Sequence, residues 1–385
     1  MSSLTSRLRA FSSCSISKRV ASVSSNSMAP SAKKHHQLSI GLLGPGLIGK
    51  TLLSQIDSQK TELASEDGLT LDVVAVANSR KMALDGQNDI NSDAAQALDY
   101  DALARHLASR PNPVIVDCTA SDVPPSHYVD WASAGISIVT PNKKFSSGPL
   151  ARYKDMKEAQ KGSGSHFFYE GTVGAGLPVL STLQHLRRTG DTVQKIEGIF
   201  SGTLSYIFNT FGSDSRSFSE VVIAAKEAGF TEPDPRDDLA GMDVARKVTI
   251  LARECGLDLE LEDVPVRSLV PEPLQNLQSA EEYLSRLPEF DGEMQSMMND
   301  AEQAGECLRF VGVVDPVNGT GTVELRRYPK DHPFATLSGS DNIISFTTER
   351  YCDQPLIIRG PGAGASVTAA GVFSDLLFLA ERCIA

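Results

Sequence analysis

The sequence lacks features that would place it in several classes of protein. None of its apolar runs approaches 18 uninterrupted residues, so the sequence predicts no membrane span. It also lacks an excess of basic charge, since 36 Lys and Arg stand against 48 Asp and Glu, for a net charge of −12. A nucleic-acid-binding face needs a basic patch, and this balance argues against one. An anionic ligand must therefore be held by a local site.

Closely spaced cysteine pairs are also missing. The six cysteines are far apart, and no two of them form a CxxC pair. This spacing excludes a disulfide framework and a cysteine-based zinc site. Reduced thiols in an intracellular compartment are the simplest interpretation.

Acidic residues are absent from the first 37 positions, which contain six basic residues and twelve serines. A serine-rich, basic start without an apolar core is typical of an organelle transit peptide. We therefore interpret residues 1–37 as a disordered, transit-peptide-like leader, with a plastid favoured and a mitochondrion as an alternative. A tail without a targeting role is a second interpretation. Translation from Met28 would leave a cytoplasmic protein with almost no leader.

What the sequence does contain is an alternation of short apolar runs and helical patterns over residues 38–170. Runs at 38–43, 71–77, 114–116 and 136–139 alternate with stretches such as 94–108. This order predicts an α/β, Rossmann-type nucleotide-binding domain with a parallel sheet. Residues 171–358 read as a second, α+β domain, in which 281–306 is expected to be solvated helix and linker. Residues 359–385 read as a C-terminal helix returning to the nucleotide domain.

A glycine-rich turn follows the first apolar run. Gly44, Gly46 and Gly49 form GxGxxG between a predicted strand and a predicted helix. In a dinucleotide site, the first glycine makes the turn, the second lets backbone approach the pyrophosphate, and the third lets helix pack on strand. The start of the helix, at Leu47 and Ile48, then offers free N–H groups to the phosphates. A plain strand-to-helix turn is the alternative.

The end of the second predicted strand bears on the identity of the cofactor. An NAD site usually places Asp or Glu there, but this sequence continues with Asn78, Ser79, Arg80 and Lys81. The two cations are suited to a 2′-phosphate, which favours NADP and leaves NAD possible. Solvated loop charges are the alternative interpretation of Arg80 and Lys81.

Six further motifs follow in order. They are CTAS at 118–121, TPNKK at 140–144, EGTVGAGLP at 170–178, SGTLSYI at 201–207, FTEPDPRDD at 230–238 and GMDVARK at 241–247. Together with the glycine turn they resemble the homoserine dehydrogenase family over about residues 38–382. The resemblance implies hydride transfer between a nicotinamide cofactor and L-homoserine or L-aspartate 4-semialdehyde, in threonine, methionine and isoleucine biosynthesis. It also implies a homodimer built through the second domain.

The chemistry of that reaction requires a proton donor, because hydride transfer to an aldehyde leaves an alkoxide. Lys247 lies four residues after Asp243, so both fall on one helix face, where a surface ion pair is the ordinary interpretation. The resemblance makes Lys247 the proton donor and gives Lys143 a catalytic or cofactor-contacting role. Neighbouring carboxylates would raise the pKa of Lys247, whereas burial and the like charge of Lys143 would lower it.

The resemblance also assigns binding roles. The substrate-binding residues expected from it, and from the acidic loop before Asp243, are Gly202, Thr203, Glu232, Asp238 and Asp243. N-capping by Ser201 and by the acidic loop is the alternative. Beyond the glycine turn, the expected cofactor contacts are Thr119, Ser121, Lys143 and Gly364. A monovalent cation, Na⁺ or K⁺, is expected at Glu170, Val173, Ala175 and Leu177, mostly through main-chain oxygens.

The sequence departs from the family at several points. Phe230 stands where the family often has Tyr, so a hydroxyl contact to the substrate is expected to be missing. No aspartate kinase region precedes the nucleotide domain and no regulatory domain follows the last helix, so we expect a monofunctional enzyme with little threonine inhibition. Two other functions fit the sequence less well. Aspartate-semialdehyde dehydrogenase needs a nucleophilic thiol, for which only Cys118 qualifies, and a non-catalytic NADPH-binding sensor would not need the lysines and carboxylates.

Overall fold

Two β-sheets, each with its helices, make up the part of the chain that the computed structural model describes, residues 36–85, 90–213 and 215–384. Most of the expected leader lies outside these residues. The first strand begins at His36, two residues before the predicted start of the nucleotide domain. None of the helices in the described ranges is long and apolar enough to cross a membrane.

The first sheet has seven strands. They are β1 (His36–Leu43), β2 (Leu69–Ala77), β3 (Lys81–Leu84), β4 (Gln96–Ala97), β5 (Pro113–Asp117), β6 (Ser137–Val139) and β7 (Phe167–Phe168). Their order is β4-β3-β2-β1-β5-β6-β7, with β2, β1, β5, β6 and β7 parallel. The chain therefore leaves β1 in one direction to β2 and returns to its other side at β5, which is the switch point where such sheets bind ligands.

Helices cover both faces of this sheet. Those contributed by its own stretch of chain are α1 (Leu47–Glu62), α2 (Tyr100–Ala108), α3 (Tyr128–Ser133), α4 (Lys143–Ser146) and α5 (Leu150–Ser163). On one face Leu52 and Ile56 of α1 pack with Leu38, Ile40 and Leu42 of β1. Leu103, Trp131 and Met156 lie in the core on the other face. The predicted Rossmann-type fold is confirmed.

The second layer is an antiparallel sheet with helices. Its strands are β8 (Val193–Ile199), β9 (Glu306–Asp315), β10 (Thr320–Pro329), β11 (Asp341–Thr348) and β12 (Leu356–Pro361), in the order β10-β9-β8-β11-β12. Its helices are α6 (Val179–Arg188), α7 (Gly202–Thr210), α8 (Phe218–Glu227), α9 (Pro235–Leu239), α10 (Met242–Glu254), α11 (Ala280–Arg286) and α12 (Asp291–Gln303). The predicted α+β character is confirmed.

The last helix, α13 (Ala365–Ile384), returns to the first sheet. Ala369, Val372 and Leu376 join the core formed by α1 and β1. Because β12 continues to Pro361, the antiparallel sheet extends past the predicted boundary at 358.

One local prediction was wrong and another was incomplete. A helix was expected over 94–108, but residues 96 and 97 pair with β3, and the helix begins at Tyr100 because the Asp99 carboxylate caps the N–H groups of Asp101 and Ala102. The segment 281–306 was expected to be solvated helix and linker, and it is helical and mostly exposed. The prediction missed that Tyr283, Met298 and Ala301 are fully or almost fully buried in the core.

Candidate functional site

The glycine turn joins β1 to α1 at the switch point of the first sheet. Gly44 has φ = +81°, and a Cβ at that position would lie 2.8 Å from Cγ2 of Thr119. A Cβ at Gly49 would lie 2.4 Å from the carbonyl oxygen of Gly44. Gly46 has nothing within 4 Å, so its backbone faces open space. Leu47 and Ile48 open α1, whose start has no side-chain cap and can present N–H groups to an anion.

Arg80 and Lys81 lie in the tight turn between β2 and β3. The Asn78 side-chain oxygen accepts both of their main-chain N–H groups at 2.8 Å, which fixes the turn. Lys81 is the first residue of β3, whereas the sequence suggested a loop. Both side chains are exposed, and neither has a carboxylate partner within the described ranges. Two exposed cationic side chains, neither paired with a carboxylate of the described residues, thus follow the second strand of this sheet.

Asp117, at the end of β5, holds the adjacent loops in place. This buried carboxylate accepts hydrogen bonds from the Thr119 main chain at 2.8 Å, from Nδ2 of Asn142 at 3.2 Å and from the Tyr128 hydroxyl. Asn142 Nδ2 also donates to the carbonyl of Ser121 at 2.9 Å. Burial raises the pKa of Asp117. The network sets the positions of Thr119, Ser121 and the start of α4. No role for Asp117 was expected from the sequence.

Lys143 and Lys247 meet on one carboxylate. The Lys143 Nζ, at the start of α4, lies 3.2 Å from Oδ1 of Asp243, and the Lys247 Nζ lies 2.7 Å from Oδ2. The Lys247 side chain is only 9% exposed, whereas that of Asp243 is 51% exposed. Lys247 Nζ also donates to the Phe200 carbonyl at 2.7 Å, beside Nδ2 of Asn342 at 3.0 Å. Neither Phe200 nor Asn342 was expected from the sequence.

The electrostatics of this cluster lower the pKa of Lys247. Burial is the largest cause, the Asp243 carboxylate acts in the opposite direction, and the Lys143 ammonium lowers the pKa further. For Asp243, loss of solvent would raise the pKa, but the two ammonium groups hold it well below its usual range. The opposing effects seen in the sequence therefore combine to make Lys247 a more acidic ammonium than an ordinary lysine.

The acidic loop before α10 contributes one residue to helix capping and others to the site. Asp234 caps α9 and pairs with Arg236, so the capping interpretation is right for this residue. Asp238 accepts the Glu232 main-chain N–H at 2.8 Å, and Thr203 and Asp243 lie near its carboxylate. Burial raises the pKa of Asp238. The Glu232 side chain is exposed and its carboxylate makes no hydrogen bond or ion pair with any described residue.

Gly202 and Thr203 begin α7 directly after β8. Ser201 caps the N–H of Leu204 at 3.2 Å, as an N-cap residue would, while Thr203 Oγ1 donates to the Phe230 carbonyl at 2.6 Å. The Phe230 ring stacks on Tyr206 with centroids 4.2 Å apart and is 41% exposed. The start of α7 thus lies beside the acidic loop.

The segment expected to hold a cation packs between α6 and α13. Glu170 is buried, and its carboxylate accepts the N–H groups of Leu180 at 2.7 Å and Ser181 at 2.8 Å. Burial raises the pKa of Glu170. The Leu177 carbonyl accepts the Val179 N–H at 2.8 Å. The carbonyls of buried Val173 and Ala175 accept no hydrogen bond from the described part of the chain.

The two remaining predicted positions are Gly364 and Cys118. Gly364, with φ = +117°, lies immediately before α13. Cys118 is a poor nucleophile, because burial and the neighbouring Asp117 raise the pKa of its thiol to about 12. This argues against acyl-transfer chemistry at that cysteine.

The switch-point glycine turn and the lysine pair together define the class of nicotinamide-nucleotide-dependent oxidoreductases. A family model described as "Homoserine dehydrogenase, NAD binding domain" matches residues 44–170, and one described as "Homoserine dehydrogenase" matches residues 178–377. The chain is 46% identical over 355 residues to the homoserine dehydrogenase of Schizosaccharomyces pombe, covering 88% of this chain and 94% of the fungal protein. This chain belongs to the homoserine dehydrogenase family.

The chain is also similar to a longer plant protein and to a solved fungal structure. The chain is 56% identical over 357 residues to the chloroplastic bifunctional aspartokinase/homoserine dehydrogenase 1 of Zea mays, covering 89% of this chain. It spans 38% of the length of that maize protein. A crystal structure of a protein of unknown function from Candida auris has a TM-score of 0.84 and 40% identity, covering 90% of this chain and 99% of that one.

Proposed function

We propose that this chain catalyses the NAD(P)-dependent interconversion of L-homoserine and L-aspartate 4-semialdehyde. The single observation that carries the proposal is the convergence of Lys143 and Lys247 on Asp243, at the side of the first sheet where its parallel strands end. The nicotinamide cofactor supplies or accepts the hydride when it is bound. A non-catalytic sensor would have no need of a buried lysine with a lowered pKa.

Lys247 moves the proton in this proposal. In aldehyde reduction its ammonium donates a proton to the developing alkoxide oxygen, and in homoserine oxidation its neutral amine accepts the hydroxyl proton. The lowered pKa makes both forms accessible closer to neutral pH. Asp243 and the Phe200 carbonyl each take one N–H of Lys247, which leaves the third for the substrate oxygen. Lys143 adds positive charge beside the reacting carbon.

The substrate is held at both of its charged ends. The exposed Glu232 carboxylate, with Asp238 and Asp243 near it, forms an anionic socket for the substrate ammonium. The free N–H groups of Gly202 and Thr203 at the start of α7 face the substrate carboxylate. To test this, the full-length protein is assayed with L-homoserine and with 4-hydroxybutyrate, which lacks the ammonium group. Turnover of L-homoserine alone is expected, and equal turnover of both would contradict the socket.

The preferred cofactor is NADP. The turn from Gly44 to Gly49 would hold the pyrophosphate of the cofactor, and Thr119, Ser121, Lys143 and Gly364 would contact its nicotinamide half. Arg80 and Lys81, which are exposed and form no ion pair with a carboxylate of the described residues, bind the 2′-phosphate.

A monovalent cation binds between Glu170 and the loop that follows it. The residues fit such a group. A buried carboxylate has no cationic partner among the described residues, and the carbonyls of Val173 and Ala175, with Leu177 beside them, accept no hydrogen bond from those residues. Sodium or potassium would neutralise the carboxylate. If so, the thermal midpoint is higher in NaCl or KCl than in choline chloride at equal ionic strength, and equal midpoints would contradict the site.

The protein is a homodimer built through the outward face of the second sheet. Val248 of α10 packs on Gly312 and Gly321, so the opposite face, with Ser345 paired to Ile357, is not covered by α10. Ile357 is 39% exposed there. Light scattering of the full-length protein and of Ile357→Glu tests this, and a monomeric wild type would contradict it.

The compartment is a plastid. The serine-rich, basic start of the sequence and the chloroplastic maize relative support this assignment over the mitochondrion and the cytoplasm. A fusion of residues 1–37 to a fluorescent protein is expected to enter plastids. Uniform cytoplasmic fluorescence would contradict the assignment.

A further inference from the structure

The helix that carries Lys143 is too short to hold its own position. α4 spans only Lys143–Ser146, a single turn, so few of its backbone groups are bonded within it. Its placement must come from contacts with its neighbours. Those contacts decide whether the Lys143 ammonium reaches Asp243 on α10.

Phe145 packs α4 into the core, and Arg253, ten residues after Asp243 on α10, makes a polar contact with the end of α4. Its side chain is completely buried, and Nη1 donates to the Ser146 carbonyl, the last of α4, at 2.9 Å. Nε donates to the Leu259 carbonyl and Nη2 to the Glu260 carboxylate, both at 3.0 Å. Arg253 therefore joins α10, the C-terminal end of α4 and the segment after α10.

Glu260 extends this contact to the next helix. Its two carboxylate oxygens accept the N–H of Leu150, the first residue of α5, at 3.0 and 2.9 Å. The Arg253–Glu260 pair thus binds the last carbonyl of α4 and the first N–H of α5. Both ends of the α4–α5 junction are fixed by one ion pair.

Arg246 adds a second contact from the same side of α10. It lies seven residues before Arg253, which is two helical turns, and its Nη1 donates to Oγ of Ser147 at 3.3 Å. Ser147 Oγ in turn donates to the Lys143 carbonyl at 2.8 Å. The two arginines reach the C-terminal end of α4, while Asp243 reaches the Lys143 ammonium at its start.

We propose that Arg253 is a positioning residue for the reaction, because it holds α4 against α10 and so keeps the Lys143 ammonium on the carboxylate shared with Lys247. Arg246 and Ser147 assist by fixing the Lys143 main chain. This inference rests on the proposed function, since it assumes that the lysine pair performs the chemistry.

If α4 moves away from α10, the pKa of Lys247 is expected to rise. The charged groups that act on Lys247 are Asp243 on its own helix and Lys143 on α4. The neutral groups near it are the Phe200 carbonyl, just after β8, and Asn342 on β11. If Lys143 moves away, Lys247 loses a like charge and keeps the full attraction of Asp243. Lys247 then keeps its proton to higher pH. Because oxidation needs the neutral amine, the rising limb of the pH–rate profile for homoserine oxidation moves to higher pH.

The test compares Arg253→Lys and Ser147→Ala with the full-length wild type. Lysine keeps the charge but cannot bond Ser146, Leu259 and Glu260 together. We expect Arg253→Lys to lower kcat about tenfold or more with a smaller change in the homoserine KM, and to move the oxidation limb to higher pH. Ser147→Ala, a milder change for the fold, is expected to act in the same directions.

Lys154→Ala is the matched control. The Lys154–Asp258 pair also joins α5 to the segment after α10, at 2.6 Å, but both side chains are more than half exposed. This variant is expected to keep the wild-type kcat and pH profile. An unchanged pH limb in both test variants, or an equal shift in Lys154→Ala, would overturn the positioning role. A wild type without turnover would instead refute the proposed function, so the two failures are distinguishable.

Discussion

Lys247 donates to the carboxylate of Asp243, one helical turn earlier on α10, with 2.7 Å between Nζ and Oδ2. The other carboxylate oxygen faces Lys143 from α4, at 3.2 Å. An ion pair of this spacing on an exposed helix would contribute little to the stability of the fold. Here one ammonium is almost fully buried, and the second ammonium brings like charge to it. Burial, Asp243 and Lys143 together set the proton affinity of Lys247.

Lys143→Met is expected to change the pH dependence of homoserine oxidation. The like charge of Lys143 lowers the pKa of Lys247, and oxidation needs the neutral amine. Without Lys143, Lys247 keeps its proton to higher pH, and the rising limb of kcat/KM moves upward. Rates measured across the pH range with NADP⁺ check this, and a limb that stays in place or moves down would be inconsistent with the coupling.

Replacing both Arg80 and Lys81 with alanine should change the cofactor preference. The two exposed side chains are expected to form charge-assisted hydrogen bonds with the 2′-phosphate, and at a solvated site the pair together is worth about 1.5–3 kcal/mol. The KM for NADPH should rise about tenfold to a hundredfold, while the KM for NADH, which lacks that phosphate, should change little. Equal effects on the two cofactors would point to damage of the β2–β3 turn instead.

Gly46→Ala is expected to separate cofactor binding from folding. Its backbone has a negative φ of −82° and no atom within 4 Å of an added Cβ, so the free protein tolerates alanine. The methyl group would instead occupy the space where the pyrophosphate approaches, and overpacking costs about 1–3 kcal/mol. Calorimetry is expected to give an NADPH affinity about ten- to a hundredfold weaker at an unchanged thermal midpoint.

Gly162→Ala is the control for that substitution. Gly162 lies on α5, also with no atom within 4 Å of an added Cβ, and far along the chain from the turn. It should leave NADPH binding intact. If Gly46→Ala bound NADPH like Gly162→Ala, the turn would not be the pyrophosphate site.

The local parts of the site could be predicted from the sequence. Gly44, Gly46 and Gly49 act through spacing along a strand, turn and helix, and the spacing of Asp243 and Lys247 depends only on the helical repeat. The end of a parallel strand placed Lys143 at the ligand side of the sheet. The residues of each signal lie within a few positions of one another, so each signal can be recognised without knowledge of the tertiary structure.

Contacts between distant segments could not be predicted. Arg253 meets Ser146 across more than a hundred residues, and Asn342 shares the Phe200 carbonyl with Lys247 although it lies on β11. Neither residue carries a local pattern. The contribution of residues 281–306 to the core was missed, because their polar composition hid a few buried side chains, such as Tyr283, among mostly exposed ones. Asp117 alone offered a signal, as a carboxylate at the end of a buried strand.

One assay tests whether the chain oxidises L-homoserine and whether Lys247 is needed for that reaction. Full-length protein is mixed with L-homoserine and either NADP⁺ or NAD⁺, nicotinamide reduction is followed by absorbance, and Lys247→Ala and the exposed Lys161→Ala are measured beside it. We predict turnover, faster with NADP⁺, that falls about a hundredfold or more in Lys247→Ala and is unchanged in Lys161→Ala. A folded, NADPH-binding wild type without turnover, or a Lys247→Ala variant as active as wild type, would contradict the account.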